Sequence, residues 1–230
     1  ARYRKSPLRE YLEAIFWAVA LALLIRAFVF EAFKIPTGSM EQSLLIGDHL
    51  LVNKFVYAPA TTAAERTLLP FGEYQRGDVL VFKYPEEPER DFIKRLIGLP
   101  GETIEVRQSR VFINGEPIEE PYLDAMRQGG HMPMDIRGTF GPLVVPDGHL
   151  FMMGDNRGDS EDSRYWGPLP IGHVKGRAFV LYWSYESESD FYHDVGVIAT
   201  LRRLGSAVTN FFTRTRWDRL LPPRAVGRGS

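Results

Sequence analysis

DVLVFKY (residues 78–84) and DFIKRLIG (residues 91–98) are two short apolar segments that follow one another closely in a chain of 230 residues. Asp78 and Asp91 open the two segments, and Pro85 and Gly98 come at or directly after their ends. Short segments rich in Val, Ile, Leu and Phe between such residues are typical of β-strands. The pair therefore predicts two strands in succession along the chain.

Further segments of the same kind lie on both sides of this pair. Asn114-Gly115, between two of them, is the strongest short-range signal of a β-hairpin in the chain. No long helical pattern interrupts the strands, which argues against alternating β–α–β units. We therefore predict a mainly β fold with an antiparallel or mixed sheet. The other predicted strands are HLLVNKFVY (49–57), TIEV (103–106), RVFI (110–113), HLFMMGD (149–155) and RAFVLYW (177–183).

Residues 11–30, YLEAIFWAVALALLIRAFVF, form a long apolar run near the N-terminus. From Ala14 to Phe30 the only charged residue is Arg26. About 20 helical residues at roughly 1.5 Å each span about 30 Å, the thickness of the hydrocarbon core of a bilayer. Four basic residues precede the run, which favours a membrane span with the N-terminus in the cytoplasm and residues 31–230 outside. A cleavable signal peptide is the alternative, but FEAFKIP follows the run instead of a small-x-small site. The sequence predicts an uncleaved transmembrane helix.

Three parts are thus expected along the chain. Residues 1–30 are a cytoplasmic basic tail and anchor, 31–183 a β-rich domain, and 184–230 a linker with a C-terminal segment. A hairpin and lobe insertion is expected at 107–147, because the stretch 120–146 is rich in Gly, Pro and Met.

The C-terminal segment at 195–221 has apolar residues at near-helical spacing with basic residues among them. This pattern fits a basic amphipathic helix on a membrane surface. It fits a helix packed against its own domain equally well, and both interpretations stay open.

The composition restricts the possible chemistry. No cysteine is present, which excludes a thiol nucleophile, a Cys-ligated metal and disulfides. The net charge of −1 gives no global argument for nucleic acid as a partner. The five histidines show no metal-ligand spacing, and the HExxH, GxSxG, phosphate-loop and GxGxxG patterns are absent. A serine nucleophile would therefore lack its usual His partner, and Lys is the remaining common base.

IPTGSM, residues 35–40, follows the apolar run closely and carries two hydroxyl groups. Pro36 and Gly38 are typical of a turn, since Pro fixes φ and Gly is conformationally free. A turn alone explains neither Thr37 nor Ser39. Whether Ser39 has a chemical role must be decided from the rest of the chain.

Lys94, in FIKRLIG, is the candidate base. A lysine acts as a base only when it is neutral, so its pKa near 10.4 must fall by roughly 2–3 units for work at pH 7–8. On a strand, Phe92 and Leu96 share the face of Lys94, and such apolar neighbours favour the neutral amine. Arg95 points to the other face and adds positive potential. The alternative is an edge-strand lysine that deters aggregation.

MGDNRGDSEDSRYWG, residues 153–167, is a polar stretch directly after an apolar segment. A calcium loop is one interpretation, but its D-x-[DN]-x-[DN]-G pattern fails at Arg157 and Ser160. The tripeptide Arg157-Gly158-Asp159 is too common to indicate adhesion. A generic polar loop remains the alternative to a functional one.

Taken together and in this order, the anchor, IPTGSM, DFIKRLIGLPGE and GDNRGDSEDSRYWG closely resemble bacterial signal peptidase I. The resemblance covers roughly residues 11–183. It implies a membrane-anchored serine endopeptidase that removes signal peptides from secreted preproteins after a small-x-small site. It also implies that Ser39 is the nucleophile, that Lys94 is the general base, and that the Thr37 hydroxyl and the Ser39 backbone N–H hold the oxyanion.

The same resemblance implies supporting residues, partners and a location. Ser160 matches the serine that orients the lysine, and no cofactor or metal is implied. The implied partners are preprotein signal peptides, the lipid bilayer and the secretion translocon, without nucleic acid. The implied location is the bacterial inner membrane, crossed once, with the catalytic domain on the periplasmic side. The implied polar framework comprises Gly154, Asp155, Asn156, Asp162 and Arg164, and the implied substrate pocket comprises Phe33, Ile35, Pro36, Met40, Phe92 and Ile93.

Two other functions are compatible with parts of the pattern. A self-cleaving regulatory protein with the same Ser–Lys chemistry should carry a DNA-binding helix-turn-helix and no membrane span, which is the opposite of this sequence. A non-catalytic, membrane-tethered β-domain is the other alternative. All three blocks nevertheless retain their reactive groups, which favours an enzyme.

Overall fold

The structure is a computed structural model that describes residues 7–41, 43–57, 72–123, 138–186, 205 and 209–220. Much of the predicted lobe at 120–146 and of the C-terminal segment at 195–221 lies outside the described residues. Within them the fold is mainly β, as the sequence predicts.

The described α-helices are α1 (Pro7–Phe28), α2 (Ser163–Trp166) and α3 (Phe211–Arg214). Short 3-10 helices occur at Gly38–Met40, Pro121–Leu123, Ile171–His173 and Trp217–Arg219. The strands are β1 (Phe30–Lys34), β2 (Asp48–Asn53), β3 (Val79–Lys83), β4 (Asp91–Gly98), β5 (Thr103–Arg107), β6 (Arg110–Ile113), β7 (Glu116–Pro117), β8 (Thr139–Val144), β9 (His149–Met153), β10 (Leu169–Pro170) and β11 (Val174–Ser184).

Seven strands form the main sheet in the order β1-β2-β11-β3-β4-β9-β10, and all neighbours pair antiparallel. Successive residues of β3 enter two different hydrophobic clusters, with Val79 and Val81 in one and Leu80 and Phe82 in the other. The sheet is therefore covered on both faces at this point. Burial on both faces explains why this strand has an almost continuous apolar sequence.

A second, four-stranded antiparallel sheet has the order β7-β6-β5-β8. Asn114 and Gly115 connect β6 to β7 with φ of 52° and 89°, the left-handed conformations that a tight hairpin turn requires. The predicted hairpin is thus confirmed. The sheet begins at Thr103, four residues before the insertion expected at 107–147, because β5 pairs with both β6 and β8.

Helix α1 covers most of the long apolar run and leads into β1 at the edge of the main sheet. Its apolar side chains are largely exposed, with Leu12, Phe16, Trp17 and Leu21 between 58% and 69% accessible. Among the described residues, no helix is both long enough and apolar enough to cross a membrane. The predicted helix is confirmed, whereas the predicted transmembrane span is not confirmed.

Candidate active site

Ser39 and Lys94 meet in the interior although 55 residues separate them in the chain. The Lys94 Nζ and Ser39 Oγ atoms lie 2.6 Å apart, within hydrogen-bonding distance. The Lys94 side chain is 3% exposed and Ser39 is 9% exposed. A nucleophile and a base in direct contact, largely screened from bulk water, are the first requirement for acyl transfer by a Ser–Lys pair.

Strand β4 places Lys94 inside the molecule. It lies between β3 and β9 in the main sheet, with Lys94 opposite Leu80. The Nζ atom stands 5.1 Å from the centre of the Phe92 ring, which lies on the same face of the strand. The alternative of an edge-strand lysine is therefore wrong, because β4 is not at an edge.

Burial lowers the pKa of Lys94 from 10.5 to about 8, because the charged ammonium loses its hydration inside the protein. Four nearby carboxylates, Asp162, Glu161, Asp155 and Asp159, act in the opposite direction. Burial prevails over their combined attraction. Near pH 8, a substantial fraction of the molecules thus holds the neutral amine that a base needs.

The nucleophile sits in the 3-10 turn Gly38–Met40, separated by three residues from the end of strand β1. Asn156 grips this turn, since its backbone N–H donates to the Ser39 carbonyl and its Nδ2 donates to the Gly38 carbonyl, each at 3.1 Å. On the inner side, Met40 is fully buried in the hydrophobic core. These contacts hold the turn from both sides and fix the direction of the Ser39 hydroxyl.

Gly154 permits a close approach of three segments behind the nucleophile. A Cβ atom at this position would lie 2.1 Å from Ser160 Oγ and 2.6 Å from the Ser39 carbonyl oxygen. The Gly154 N–H donates to Asp162 Oδ2 at 3.0 Å. A side chain at residue 154 would therefore push the polar loop away from the turn that carries Ser39.

Ser160 is buried at this contact, and its Oγ has no hydrogen-bond partner among the described residues. A hydrogen bond through which Ser160 would orient Lys94 is therefore not confirmed. Its hydroxyl packs against the Gly154 backbone instead.

Buried arginine–carboxylate pairs support the polar framework. Arg95 binds Asp155 through two hydrogen bonds of 2.8 and 2.7 Å, and Arg164 binds Asp162 through Nε and Nη2 at 2.8 and 2.9 Å. Because both partners of each pair are almost fully buried, removing one would leave an uncompensated charge in the interior. The sequence indicated only a general positive potential for Arg95, whereas in the structure Arg95 has a specific partner.

Two supporting residues were missed altogether. Arg157 pairs with Glu120, also in the interior, and its Nε donates to the Gly154 carbonyl at 3.1 Å. The Tyr122 ring lies 4.0 Å from the Arg95 guanidinium. Glu120 and Tyr122 belong to the start of the predicted lobe, where the composition gave no sign of a charged partner.

A cleft of about 410 Å³ opens in front of the Ser–Lys pair. Of the predicted pocket residues, Pro36, Phe92 and Ile93 line it, whereas Ile35 and Met40 are buried in the core. Phe33 packs against the same core instead of lining the cleft. Thr37, an exposed residue with extended backbone, lines the cleft beside Ser39. The cleft is also lined by charged residues that the sequence did not suggest, namely Arg90, Asp91, Asp159 and Glu161.

Among the described residues, no group of His, Asp or Glu side chains is arranged to hold a metal ion.

Comparison with known proteins identifies the family. The family model described as signal peptidase, peptidase S26, matches residues 8–183. The chain belongs to this family. It is 36% identical over 215 residues to signal peptidase I of Pseudomonas aeruginosa, with 80% of this chain and 76% of the relative covered. It is 41% identical over 162 residues to signal peptidase I of Bacillus licheniformis, with 70% and 80% covered.

Among solved structures, the chain is similar to a signal peptidase I from Enterococcus faecalis, with 36% sequence identity and a TM-score of 0.40. The similarity covers 46% of this chain and 97% of that chain. The three sequence blocks all fall within the part matched by the peptidase S26 family, so the resemblance based on them is confirmed.

Proposed function

We propose that this protein is a membrane-anchored signal peptidase, a serine endopeptidase that removes signal peptides from secreted preproteins after a small-x-small site. The observation that supports it best is the 2.6 Å contact between Ser39 Oγ and the Nζ of a buried Lys94. Membership of the peptidase S26 family and a pKa of about 8 for Lys94 agree with it.

In the first half of the reaction, neutral Lys94 takes the proton of the Ser39 hydroxyl as Oγ attacks the scissile carbonyl carbon. The carbonyl oxygen gains a negative charge in the tetrahedral intermediate. When the intermediate collapses, the C–N bond breaks and the Lys94 ammonium returns the proton to the leaving amine. The products of this step are a Ser39 ester and a free N-terminus.

In the second half, Lys94 takes a proton from a water molecule, which attacks the ester carbonyl. The C–O bond to Ser39 then breaks, and the proton returns to Ser39 Oγ. The released signal peptide carries a new carboxylate, and the Ser–Lys pair is restored for another cycle.

The negative oxygen of each intermediate would be held by the Ser39 backbone N–H and the Thr37 hydroxyl. Thr37 precedes the catalytic turn and lines the cleft, so its hydroxyl would need only a side-chain rotation to reach the substrate. Loss of one donor of this kind typically lowers kcat by about 10²–10³.

The cleft suits an extended peptide with small side chains next to the cleaved bond. Pro36, Phe92 and Ile93 give it an apolar lining beside Lys94. An extended substrate would lie along the start of β4, where backbone hydrogen bonds give affinity and shallow pockets give specificity.

Helix α1 supports the membrane part of the proposal. Large apolar side chains on it are exposed, and a lipid environment would remove them from water. Four basic residues precede the apolar run, which assigns the N-terminus to the cytoplasm and the catalytic domain to the periplasmic side of the bacterial inner membrane. There the signal peptide, in the bilayer or at the secretion translocon, would present its cleavage site at the height of Ser39.

The test is cleavage of a preprotein by the purified chain in detergent. Wild-type protein should cut once, directly after the small-x-small site, while Ser39→Ala and Lys94→Ala should each lose essentially all activity. Circular dichroism checks that both variants keep the β fold. Substantial cleavage by either folded variant would contradict the assigned roles, and no cleavage by the wild type would favour the non-catalytic alternative.

A further inference from the structure

Residues 209–220, here called the C-terminal strap, lie beyond the family match at 8–183 and fold back onto the catalytic domain. Thr215 forms an antiparallel bridge with Tyr185, and its hydroxyl accepts a hydrogen bond from Trp183 Nε1 at 3.3 Å. Leu220 packs against the core cluster that contains Met40. The strap therefore shares the core on which the Ser39 turn rests.

Two arginines of the strap reach the loop 43–48, shortly after the nucleophile. Arg219 Nη2 donates to the Ser43 carbonyl at 3.0 Å and to Asp48 Oδ2 at 2.9 Å. Arg216 Nη1 donates to the Ile46 carbonyl at 3.3 Å and lies 3.7 Å from Asp48. Both side chains are partly exposed, whereas the carboxylate that they approach is not.

Asp48 is fully buried and shapes the same loop from within. Its Oδ2 accepts the backbone N–H of Leu45 at 2.8 Å, and its Oδ1 accepts the Ser184 hydroxyl at 2.6 Å. A buried carboxylate needs a positive partner to remain charged in the interior. Within the described part of the chain, the strap supplies the cations that lie closest to it.

Ser43 connects this ion pair to the strand of the base. Its carbonyl accepts from Arg219, and its hydroxyl accepts from Arg95 Nη2 at 3.3 Å. Arg95 directly follows Lys94 in β4. Ser43 is therefore bound both by Arg219 of the strap and by Arg95, the residue next to Lys94.

The same loop is attached to the nucleophile. The N–H of Leu44 donates to the Met40 carbonyl at 2.8 Å, and both side chains are fully buried. Met40 is the residue after Ser39. A displacement of Ser43 would thus move the turn that aims the Ser39 hydroxyl.

We propose that Arg219 is a positioning residue for the peptidase reaction, because it holds the loop 43–48 so that Ser39 Oγ stays within reach of Lys94. The inference rests on the proposed function. Arg219 does not line the cleft, so it acts on the chemical step and leaves substrate binding largely unaffected. A misplacement of about 1 Å in a catalytic pair can lower the rate by about 10².

The test compares Arg219→Gln with Arg214→Gln, using the full chain in detergent at 25 °C. Arg214 is a third arginine of the strap, and among the described residues its side chain forms no hydrogen bond or ion pair, so its replacement removes the same charge without releasing the loop. We expect Arg219→Gln to lower kcat by about 10- to 100-fold with little change in KM. Arg219→Lys should recover much of the loss, since one ammonium can donate to both the Ser43 carbonyl and Asp48.

Hydrogen–deuterium exchange gives a readout that does not depend on cleavage. Amides of the loop 43–48 should exchange faster in Arg219→Gln than in the wild type and in Arg214→Gln. If Arg219→Gln does not fold at 25 °C, Arg219→Gln combined with Asp48→Asn takes its place, because that variant contains no unpaired buried carboxylate.

A wild-type kcat in the folded Arg219→Gln variant would overturn the proposal, even if its Tm falls, because only a stabilising role would then remain. Unchanged exchange in the loop would also overturn it. Failure of the wild type to cleave would instead reject the proposed function, and the exchange experiment would still decide whether Arg219 holds the loop.

Discussion

Replacement of Lys94 by Met should abolish activity and at the same time stabilise the protein near pH 7. Met has a similar volume and no charge, so the substitution removes a buried ammonium without opening a large cavity. The pKa of Lys94 falls from 10.5 to about 8 because burial removes the hydration of its charge. A pKa decrease of this size corresponds to about 3 kcal/mol of lost stability while the lysine is charged.

The gain depends on pH in a defined direction. Below about pH 8 the lysine is protonated in both the folded and the unfolded state, and the folded state carries the full cost of the buried charge. Between about pH 8 and 10.5 the unfolded state binds more protons than the folded state, so the wild type becomes more stable as the pH rises. Loss of the hydrogen bond to Ser39 offsets about 1 kcal/mol of the gain. We therefore expect Lys94→Met to be more stable by about 2 kcal/mol at pH 7, with the advantage disappearing towards pH 10.5.

Chemical denaturation followed by tryptophan fluorescence, at pH 7 and at pH 10, measures both values. Lys83→Met serves as the control, because Lys83 is an exposed lysine on the neighbouring strand β3 and its loss should change stability equally at both pH values. A Lys94→Met variant that is less stable than the wild type by the same amount at both pH values would refute the reasoning. The buried ammonium of Lys94 in the wild type would then not lower the free energy of unfolding.

Two further predictions concern the surroundings of the Ser39–Lys94 pair. Glu161 raises the pKa of Lys94, so Glu161→Gln should move the acid limb of the pH–activity profile to lower pH. The control Glu86→Gln removes the other carboxylate that the Tyr84 hydroxyl binds and should leave the acid limb in place. An unshifted acid limb in Glu161→Gln would contradict the role of this carboxylate. Gly154→Ala introduces a methyl group 2.1 Å from Ser160 Oγ and should lower kcat by about 10². The same change at Gly172, where the added Cβ meets nothing within 4 Å, should leave kcat and Tm unchanged, and a fully active Gly154→Ala enzyme would show that the close approach is not needed.

The strands and the candidate base could be predicted because each depends on local patterns. The hairpin at Asn114-Gly115 required two left-handed residues in succession, and the two residue types present are the ones that tolerate them. Lys94 became a candidate because Phe92 and Leu96 share its face of a strand and favour the neutral amine, and the resemblance to signal peptidase I then decided for a base over an edge-strand lysine. In both cases the decisive neighbours lie within a few positions along the chain.

The supporting contacts could not be predicted because they join distant segments. Arg157 pairs with Glu120, 37 positions away in the chain, and Arg219 pairs with Asp48, 171 positions away. The order of the strands creates these contacts, and no periodicity in one segment reveals the partner in another. The assignment of Met40 to the pocket failed for a related reason, since Met40 is buried in a core cluster built from distant segments of the chain.

The alternation of β4 has a consequence for how two neighbouring cations are used. Lys94 and Arg95 are adjacent in the chain, yet the pleat turns them to opposite sides of the sheet. Arg95 meets a carboxylate in direct contact and remains a permanent charge, while Lys94 meets a hydroxyl and an aromatic ring and can release its proton. Strand β4 thus separates a permanently charged side chain, Arg95, from a side chain that can exchange its proton, Lys94. A carboxylate brought into contact with Lys94 would raise its pKa and keep it protonated, which would inactivate the base while Ser39 stayed unchanged.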